Sequence, residues 1–438
     1  MLFLSVRMTG SCQVMSLKEC LRHGISNNLT LINAQIDVTK GRTGVSQNRA
    51  RLLPVISGVF QMTDYLKQPV NVTTGTLLGN EFPDDPTWQT IRSMQYNVNA
   101  GVQLNMPLYN QSIFAEIDVA RTVEQLSRLS DDKAVEDLTI QISKVYYLAQ
   151  SSLEQAILAG ENISRMQELC SISEAMHDQG LVLEVDLNRV RINFQNLQTL
   201  HDQYQTLYAR QINMLRFLMD LSLDTPLDVE RMSDEITMFH SRGVSETLPE
   251  LQSVKLQRSL VEQKMQAVKA GYIPTISLTG YAGGLGYQDK FSHFFHTEAA
   301  SRNWFANCFI GLNITIPIFD ANSKHLKIRQ YSYEAQQTEN RIKLMQDRLA
   351  QDYADAMLQL NHNAEVYNTQ SQSYRQAMDV YRVTEEQYRE GVASMTTILQ
   401  DEMQLRTAQT ACVLAHCQFN LARLDLLYLS GNLSSLTE

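Results

Sequence analysis

No window of the chain holds eighteen consecutive apolar residues, which excludes a membrane-crossing helix. It does not exclude a barrel, because barrel strands alternate and leave little hydropathy signal. Proline is scarce, 9 in 438 residues, and glycine stands at 19, so few positions interrupt a helix. Basic residues are outnumbered, 37 against 47 acidic, for a net charge of −10. Phosphate binding needs a basic face, so nucleic acid is ruled out as the expected partner. The six cysteines, at 12, 20, 170, 308, 412 and 417, form no CxxC pair and no Cys/His cluster with zinc spacing, and read as packed thiols. HExxH, GxSxG and a supported Ser/His/Asp set are all missing. Gly280, Gly283, Gly284 and Gly286 do not form a GxGxxG that opens a helix, and His293 and His296 lack a third ligand. No catalytic residue, metal or cofactor is therefore expected, and an enzyme reading has nothing to stand on.

What the chain does have is one long uninterrupted stretch, from Asp320 to about Glu390. It contains no proline, and its first glycine is Gly391. Tyr353, Leu360, Tyr367, Tyr374, Tyr381 and Tyr388 recur every seventh residue, and Met357, Ala364, Ser371 and Met378 follow four later. Alternating steps of four and three make the seam of a left-handed coiled coil. At 1.5 Å per residue the rod would be about 100 Å long. The small and amphipathic seam suits a helix packed on several sides in a thin wall.

Taken in order, residues 1–15 read as a residual export or lipidation segment, with Cys12 as a candidate lipid-anchoring cysteine. A helix is expected from Ser16 to about Leu52, opened by a capping box of Ser16 and Glu19. Strand pattern follows at Pro54–Phe60 and Tyr96–Pro107, with a Pro-containing loop between. Helical pattern returns from Asn110 to Gln179, with Ile142, Tyr146, Ala149, Leu153, Ala156 and Ile163 on a seam. Gly180 breaks it, and a shorter helix runs from Glu184 to Leu221. A connector occupies 222–243. The same order then recurs over 244–438: helix 247–270, strands at Tyr272–Tyr281 and Phe305–Phe319, the long helix, a break at Gly391, and a last helix 394–430.

The two halves, 16–221 and 244–438, match at a nearly constant offset. Ala50–Ser57 aligns with Ala270–Ser277, Gly101–Asn110 with Gly311–Asp320, and Gly180 with Gly391. Each half places two strands, so each chain has four. Four strands cannot close a barrel and would leave two open edges. Three copies would supply twelve, an even number able to close in a membrane. Val98, Val102 and Leu104 would face outward, and Asn97, Asn99, Gln103 and Asn105 inward. The expected class is mainly α with β: two tandem repeats, a long coiled-coil helical barrel, and four strands per chain in a trimeric twelve-stranded transmembrane β-barrel.

With its two strand-to-helix junctions, GlnLeuAsnMetProLeuTyrAsn and AsnIleThrIleProIlePheAsp, and its two helix breaks around Gly180 and Gly391, the chain resembles the TolC family of outer-membrane efflux proteins from about Ser16 to Gly431. The resemblance implies a homotrimer in outer-membrane lipid with a periplasmic tunnel. It also implies an exit duct that works with a periplasmic adaptor (membrane fusion) protein and an inner-membrane transporter in efflux or type I secretion. By the same resemblance Gly180, Leu181, Asp186, Gly391, Val392 and Thr397 would form the periplasmic tip and adaptor contact, and Pro107 and Pro317 the strand–helix junctions. Family members often carry aspartates six and nine residues past the second glycine. Here Thr397 and Gln400 stand there, with Asp401 and Glu402 just beyond. Asp186, Thr397, Gln400 and Asp401 are thus the candidate constriction.

Two readings stay open on the residues themselves: the outer-membrane duct, and a soluble coiled-coil scaffold or adaptor without a pore. The strands that alternate and end at Pro107 and Pro317, each opening a long helix, favour the duct. Alanine at Gly180 and Gly391 would be expected to stiffen the tips and reduce export while leaving the trimer.

Overall fold

The protein is described by a computed structural model covering residues 13–74, 88–233, 236, 238–239, 243–295 and 304–437. Two compact units divide the chain, and each draws on both sequence repeats. One comprises Met1–Thr39, Gln125–Gln257 and Gln337–Glu438; the other comprises Lys40–Glu124 and Arg258–Gln336.

The first unit is helical with one small ladder. Strand β1 (Gln13–Met15) pairs in parallel with a later strand, Leu227–Val229. Helix α1 (Leu17–Asn27) opens on Ser16, whose hydroxyl accepts from the Glu19 amide at 3.3 Å while the Glu19 carboxylate accepts from the Ser16 amide at 2.9 Å. The helix expected to run unbroken to Leu52 stops at Asn28. That residue is extended (φ −61°, ψ 125°) and 8% exposed. Its Oδ1 accepts from the Thr30 amide at 2.8 Å, and its Nδ2 donates to the Leu218 carbonyl at 2.8 Å. The amide side chain thus ends α1, caps α2 (Leu29–Ala50) and satisfies a carbonyl at the end of another helix.

The segment 65–95, expected to be a loop, contains a second correction. In the other unit β2 (Val55–Asp64) is followed by an antiparallel hairpin of β3 (Val70–Thr74) and β4 (Trp88–Arg92) before β5 (Tyr96–Tyr109). Pro69, immediately before β3, read as a loop signal and hid the short strand behind it, and Pro83 and Pro86 lie outside the described residues. Helix α3 (Gln111–Asp178) starts under the cap of Asn110, whose Oδ1 accepts from the Ser112 amide at 3.1 Å. Helix α4 (Glu184–Leu218) follows, then β6 (Leu227–Val229), the partner of β1, inside the expected connector. The end of the presumed export segment is therefore a strand. Cys12 lies outside the described residues.

Helix α5 (Pro249–Ala270), β7 (Thr275–Gln288), β8 (Trp304–Thr315), α6 (Ser323–Arg389) and α7 (Met395–Leu429) complete the chain. Both proline junctions differ from expectation. Pro107 lies within β5, at a register shift between Pro107 and Tyr109, rather than ending it. Pro317 follows the end of β8 at Thr315 and stands six residues before α6. There the chain turns through two consecutive left-handed residues, Ala321 (φ 54°) and Asn322 (φ 61°). Asp320 Oδ2 then caps α6 by accepting from the Lys324 amide at 3.0 Å. Asn110 and Asp320, matched in the sequence repeat, do the same capping work.

The helical unit is held by the two seams. Ile142, Tyr146 and Ala149 are buried with Cys20, Leu21, Ile212, Leu215 and Leu218. Leu360 and Ala364 pack on Phe419, Ala422 and Leu426. Tyr381 and Tyr388 pack on Met166, Leu169, Val190, Ile398 and Leu405. Of the heptad tyrosines, Tyr367, Tyr381 and Tyr388 are buried, and Tyr353 and Tyr374 are half-buried against the same clusters, so their rings supply much of the apolar contact. The connector and the β1 strand paired with it are both fixed to α3. Tyr146 Oη donates to the Met15 carbonyl at 3.1 Å, Gln150 Nε2 donates to the Glu230 carbonyl at 2.9 Å, and Arg231 makes a two-pronged pair with Glu154 at 2.7 and 3.2 Å.

Candidate functional site

Two places carry the function-bearing residues: the four-stranded sheet in one unit and the two helix-to-helix turns in the other. The sheet has the order β2-β5-β7-β8, antiparallel throughout. Alternation gives it two faces. One carries Ile56, Phe60 and Met62 on β2; Val98, Ala100, Val102 and Leu104 on β5; Leu278 and Ala282 on β7; and Trp304, Ile310, Leu312 and Ile314 on β8. Phe60 is 74% exposed and Ile310 80% exposed. The opposite face carries Ser57 and Gln61, Asn97, Asn99, Gln103 and Asn105, Ser277 and Thr279, and Asn307 and Asn313.

Across the four strands the single charged side chain is Asp64, at the end of β2. Asp64 falls on the apolar face at its very end, and the rest of that face carries no charge, as suits a surface on which a charge would cost about 2–4 kcal/mol at mid-membrane. β2 and β8 stand at the two ends of the sheet and find no outer neighbour among the described residues. Their outer backbone groups need partners, which in a bilayer water does not supply.

The two turns are built alike. Gly180 is left-handed (φ 74°); its amide donates to the His177 carbonyl at 2.8 Å, and the Leu181 amide donates to the Met176 carbonyl at 2.9 Å. Gly391 is left-handed (φ 76°); its amide donates to the Tyr388 carbonyl at 3.0 Å, and the Val392 amide donates to the Gln387 carbonyl at 2.8 Å. Both are Schellman closures that use glycine because φ is positive. They leave apolar side chains in solvent: Leu181 and Leu183 at 72%, Val185 at 61% and Val392 at 75%. The helices then restart differently. Leu183 caps α4 without a side-chain bond, whereas Ser394 Oγ accepts from the Thr397 amide at 3.2 Å.

The candidate constriction residues are placed as follows. Asp186 sits in the first turn of α4 and accepts from Arg189 at 2.8 Å. Thr397 is exposed in the first turn of α7, with its hydroxyl 2.9 Å from that of Ser394. Gln400 is exposed one turn on. Asp401 Oδ2 accepts from Thr384 Oγ1 of α6 at 2.6 Å, so that carboxylate is engaged within the chain. Glu402 points into the protein, 3% exposed. Burial pushes its carboxyl up from the ordinary range, opposed by Arg406 and Arg165. Its Oε1 makes no hydrogen bond.

Sequence reasoning missed this polar layer. Asn162 of α3 donates to Gln409 of α7 at 2.9 Å, Arg165 reaches Asn162, and Ser173 Oγ lies 3.1 Å from Tyr388 Oη of α6. Arg389 pairs with Glu168 at 2.6 Å and with Glu385 at 3.1 Å. Buried polar residues among tyrosines at seam spacing were the available signal. Of the two histidines weighed as ligands, His293 stands in a short aromatic turn, Phe291–Phe295, and His296 lies outside the described residues.

The family model for outer membrane efflux proteins matches residues 21–220 and 245–432, one copy on each sequence repeat. The probable efflux pump outer membrane protein TtgC of Pseudomonas putida is 21% identical over 408 residues, which cover 91% of this chain and 79% of that protein. The proteases secretion protein PrtF of Dickeya chrysanthemi is 20% identical over 437 residues, covering 97% of this chain and 90% of PrtF. The CmeC outer membrane channel of Campylobacter jejuni superposes with a TM-score of 0.75 at 15% identity, over 95% of this chain and 85% of that one. The open state of the Neisseria gonorrhoeae MtrE outer membrane channel does so at 0.73 and 16%, over 96% and 90%. With the doubled match laid over a doubled fold whose sheet carries a single charge at its end, the chain belongs to the outer membrane efflux protein family and is an exit duct of the Gram-negative outer membrane.

Proposed function

We propose that three copies assemble with β2 of one chain paired to β8 of the next, closing a twelve-stranded barrel. The observation that carries this is the sheet itself: an apolar face charged only at its end, by Asp64, and two edges without a partner among the described residues. Closure satisfies every backbone group in lipid, and the apolar face meets the acyl chains. The amide-rich face then lines the passage. The helical unit supplies the periplasmic part, and the duct passively conducts material delivered by an inner-membrane transporter. A periplasmic adaptor protein docks at the turns around Gly180 and Gly391. The exposed Leu181, Leu183, Val185 and Val392 support that reading, because such side chains gain by being covered. The polar layer between α3, α6 and α7 holds the two turns together in this state, and opening shifts one helix pair against the other.

The test is extraction of the protein from a membrane fraction in detergent. The expected result is a particle of three chains that migrates faster unheated than boiled. A detergent-independent monomer or dimer would leave the sheet edges unclosed and would support a soluble scaffold instead.

A further inference from the structure

The polar face of the sheet holds one large side chain that does not project from it. Tyr281 is 8% exposed, whereas Phe305 and Phe309 on the same face are 56% and 50% exposed. Its ring lies across Gly101 of the neighbouring strand. A Cβ at Gly101 would stand 2.6 Å from the phenol oxygen and 2.7 Å from the ring carbon that bears it. Gly283, directly opposite Gly101 in the register, leaves the same space clear from β7. The hydroxyl donates to Asn99 Oδ1, and the ring stacks beside Phe309 with centroids 6.0 Å apart and planes at 24°. A side chain on a strand ordinarily stands away from the sheet. Here two missing side chains, one acceptor and one stacked ring lay it down.

We propose that Tyr281 sets the bore of the barrel. It rests on the barrel closure proposed above, which turns this face inward. Held flat by Gly101, Gly283 and Asn99, Tyr281 leaves the passage wide; released, the same ring swings across it. Threefold assembly puts three such rings at one height, so a small rotation in each narrows the path together. The wall at that height carries no charge, so the restriction is one of width, for neutral and ionic cargo alike.

Single-channel conductance of the purified trimer in planar bilayers tests this. Tyr281→Ala alone should leave conductance undiminished, since the flat ring blocks nothing. Gly101→Ala should lower it, and Gly101→Ala with Tyr281→Ala should restore it. A loss that persists without the ring would point to strand distortion, because the new Cβ also meets the Ala282 carbonyl at 2.7 Å, and would overturn the proposal. Asn99→Ala leaves both backbones untouched and is the second variant. It should add brief closures that vanish when Tyr281 is also alanine; closures that remain, or none at all, count against the proposal. A wild type that yields no heat-modifiable trimer in detergent would sink the barrel reading and this one with it. A conducting wild type whose Gly101→Ala and Asn99→Ala variants match it would sink this one alone.

Discussion

Asp220 and Gly431 stand 211 residues apart, at the ends of α4 and α7, and both are left-handed, with φ of 56° and 71°. Each closes its helix the same way. The Leu221 amide donates to the Arg216 carbonyl at 2.8 Å, and the Asn432 amide donates to the Leu427 carbonyl at 2.9 Å. One repeat met the demand for positive φ with glycine and the other with aspartate, a residue that tolerates it at a cost. Asp220→Gly should therefore raise the thermal midpoint slightly, by about 1 kcal/mol or less of stability. Gly431→Ala should lower it by more, because its Cβ would also meet Ser245 Oγ at 2.7 Å. Calorimetry of the detergent-solubilised trimer decides both.

Alanine at Gly180 and Gly391 should act in the opposite sense to the stiffening expected from sequence. Nothing lies within 4 Å of either Cβ position, so the substitution gains no contact. It only forces a side chain into left-handed backbone, at about 1 kcal/mol each. The turns should loosen, and amide exchange at Leu181 and Val392 should speed up while the trimer persists. Slower exchange would restore the stiffening view.

Acid should strengthen the helical unit. Glu136 on α3 has its carboxyl pushed up to about 7, chiefly by burial and then by Asp137 and Asp132. Glu402 is displaced in the same direction. A carboxyl with its folded value above its unfolded one binds its proton more tightly when folded. Its contribution is complete below the ordinary glutamate range, near 4.5, and is lost as pH rises through about 7. Denaturation midpoints should fall between those limits, and Glu136→Gln with Glu402→Gln should flatten the slope. A midpoint that climbs over the same window would contradict the assignment.

The two faces of the sheet should differ sharply in tolerance to charge. Ile310→Arg places a cation on the apolar face and should cost about 2–4 kcal/mol, read as loss of the heat-modifiable trimer from the membrane fraction. Gln103→Arg, on the polar face, should assemble normally. Equal loss for both would mean that the faces have been assigned wrongly.

The Ser173–Tyr388 contact joins α3 to α6 beside the turns. Tyr388→Phe removes one partner and should cost about 1 kcal/mol. In Ser173→Ala the same change should cost less, and the difference measured in a double-mutant cycle is the coupling between the helices.

Periodicity made most of the fold legible. The seven-residue rows of α3 and α6, the glycine breaks and the alternating strands are each imposed by local geometry, so they show in a single sequence. What stayed hidden depended on distant partners. Asn28 ends a helix because its amide meets the Leu218 carbonyl, 190 residues away. β1 and β6 are three residues each and exist only as a pair. Pro107 could not be seen to lie inside a strand, since its missing amide is tolerated at a register shift. Glu402 looked as free to line a passage as Asp401, because a step of one residue rotates about 100° around a helix and only packing tells which of the two turns inward. The ring of Tyr281 lies over Gly101 from 180 residues further along the chain, so nothing local to the glycine marks that contact.

The bare edges of β2 and β8 carry a consequence for biogenesis. A lone chain that entered the bilayer would strand ten residues of backbone on one side of its sheet and twelve on the other, each unmet group costing several kcal/mol in hydrocarbon. No half-built pore can therefore rest in the membrane. With the closure proposed above, insertion and assembly become one event, its rate climbing steeply with the amount of chain awaiting delivery. By that closure, chains in surplus over complete threes keep open strand edges and are prone to edge-to-edge aggregation.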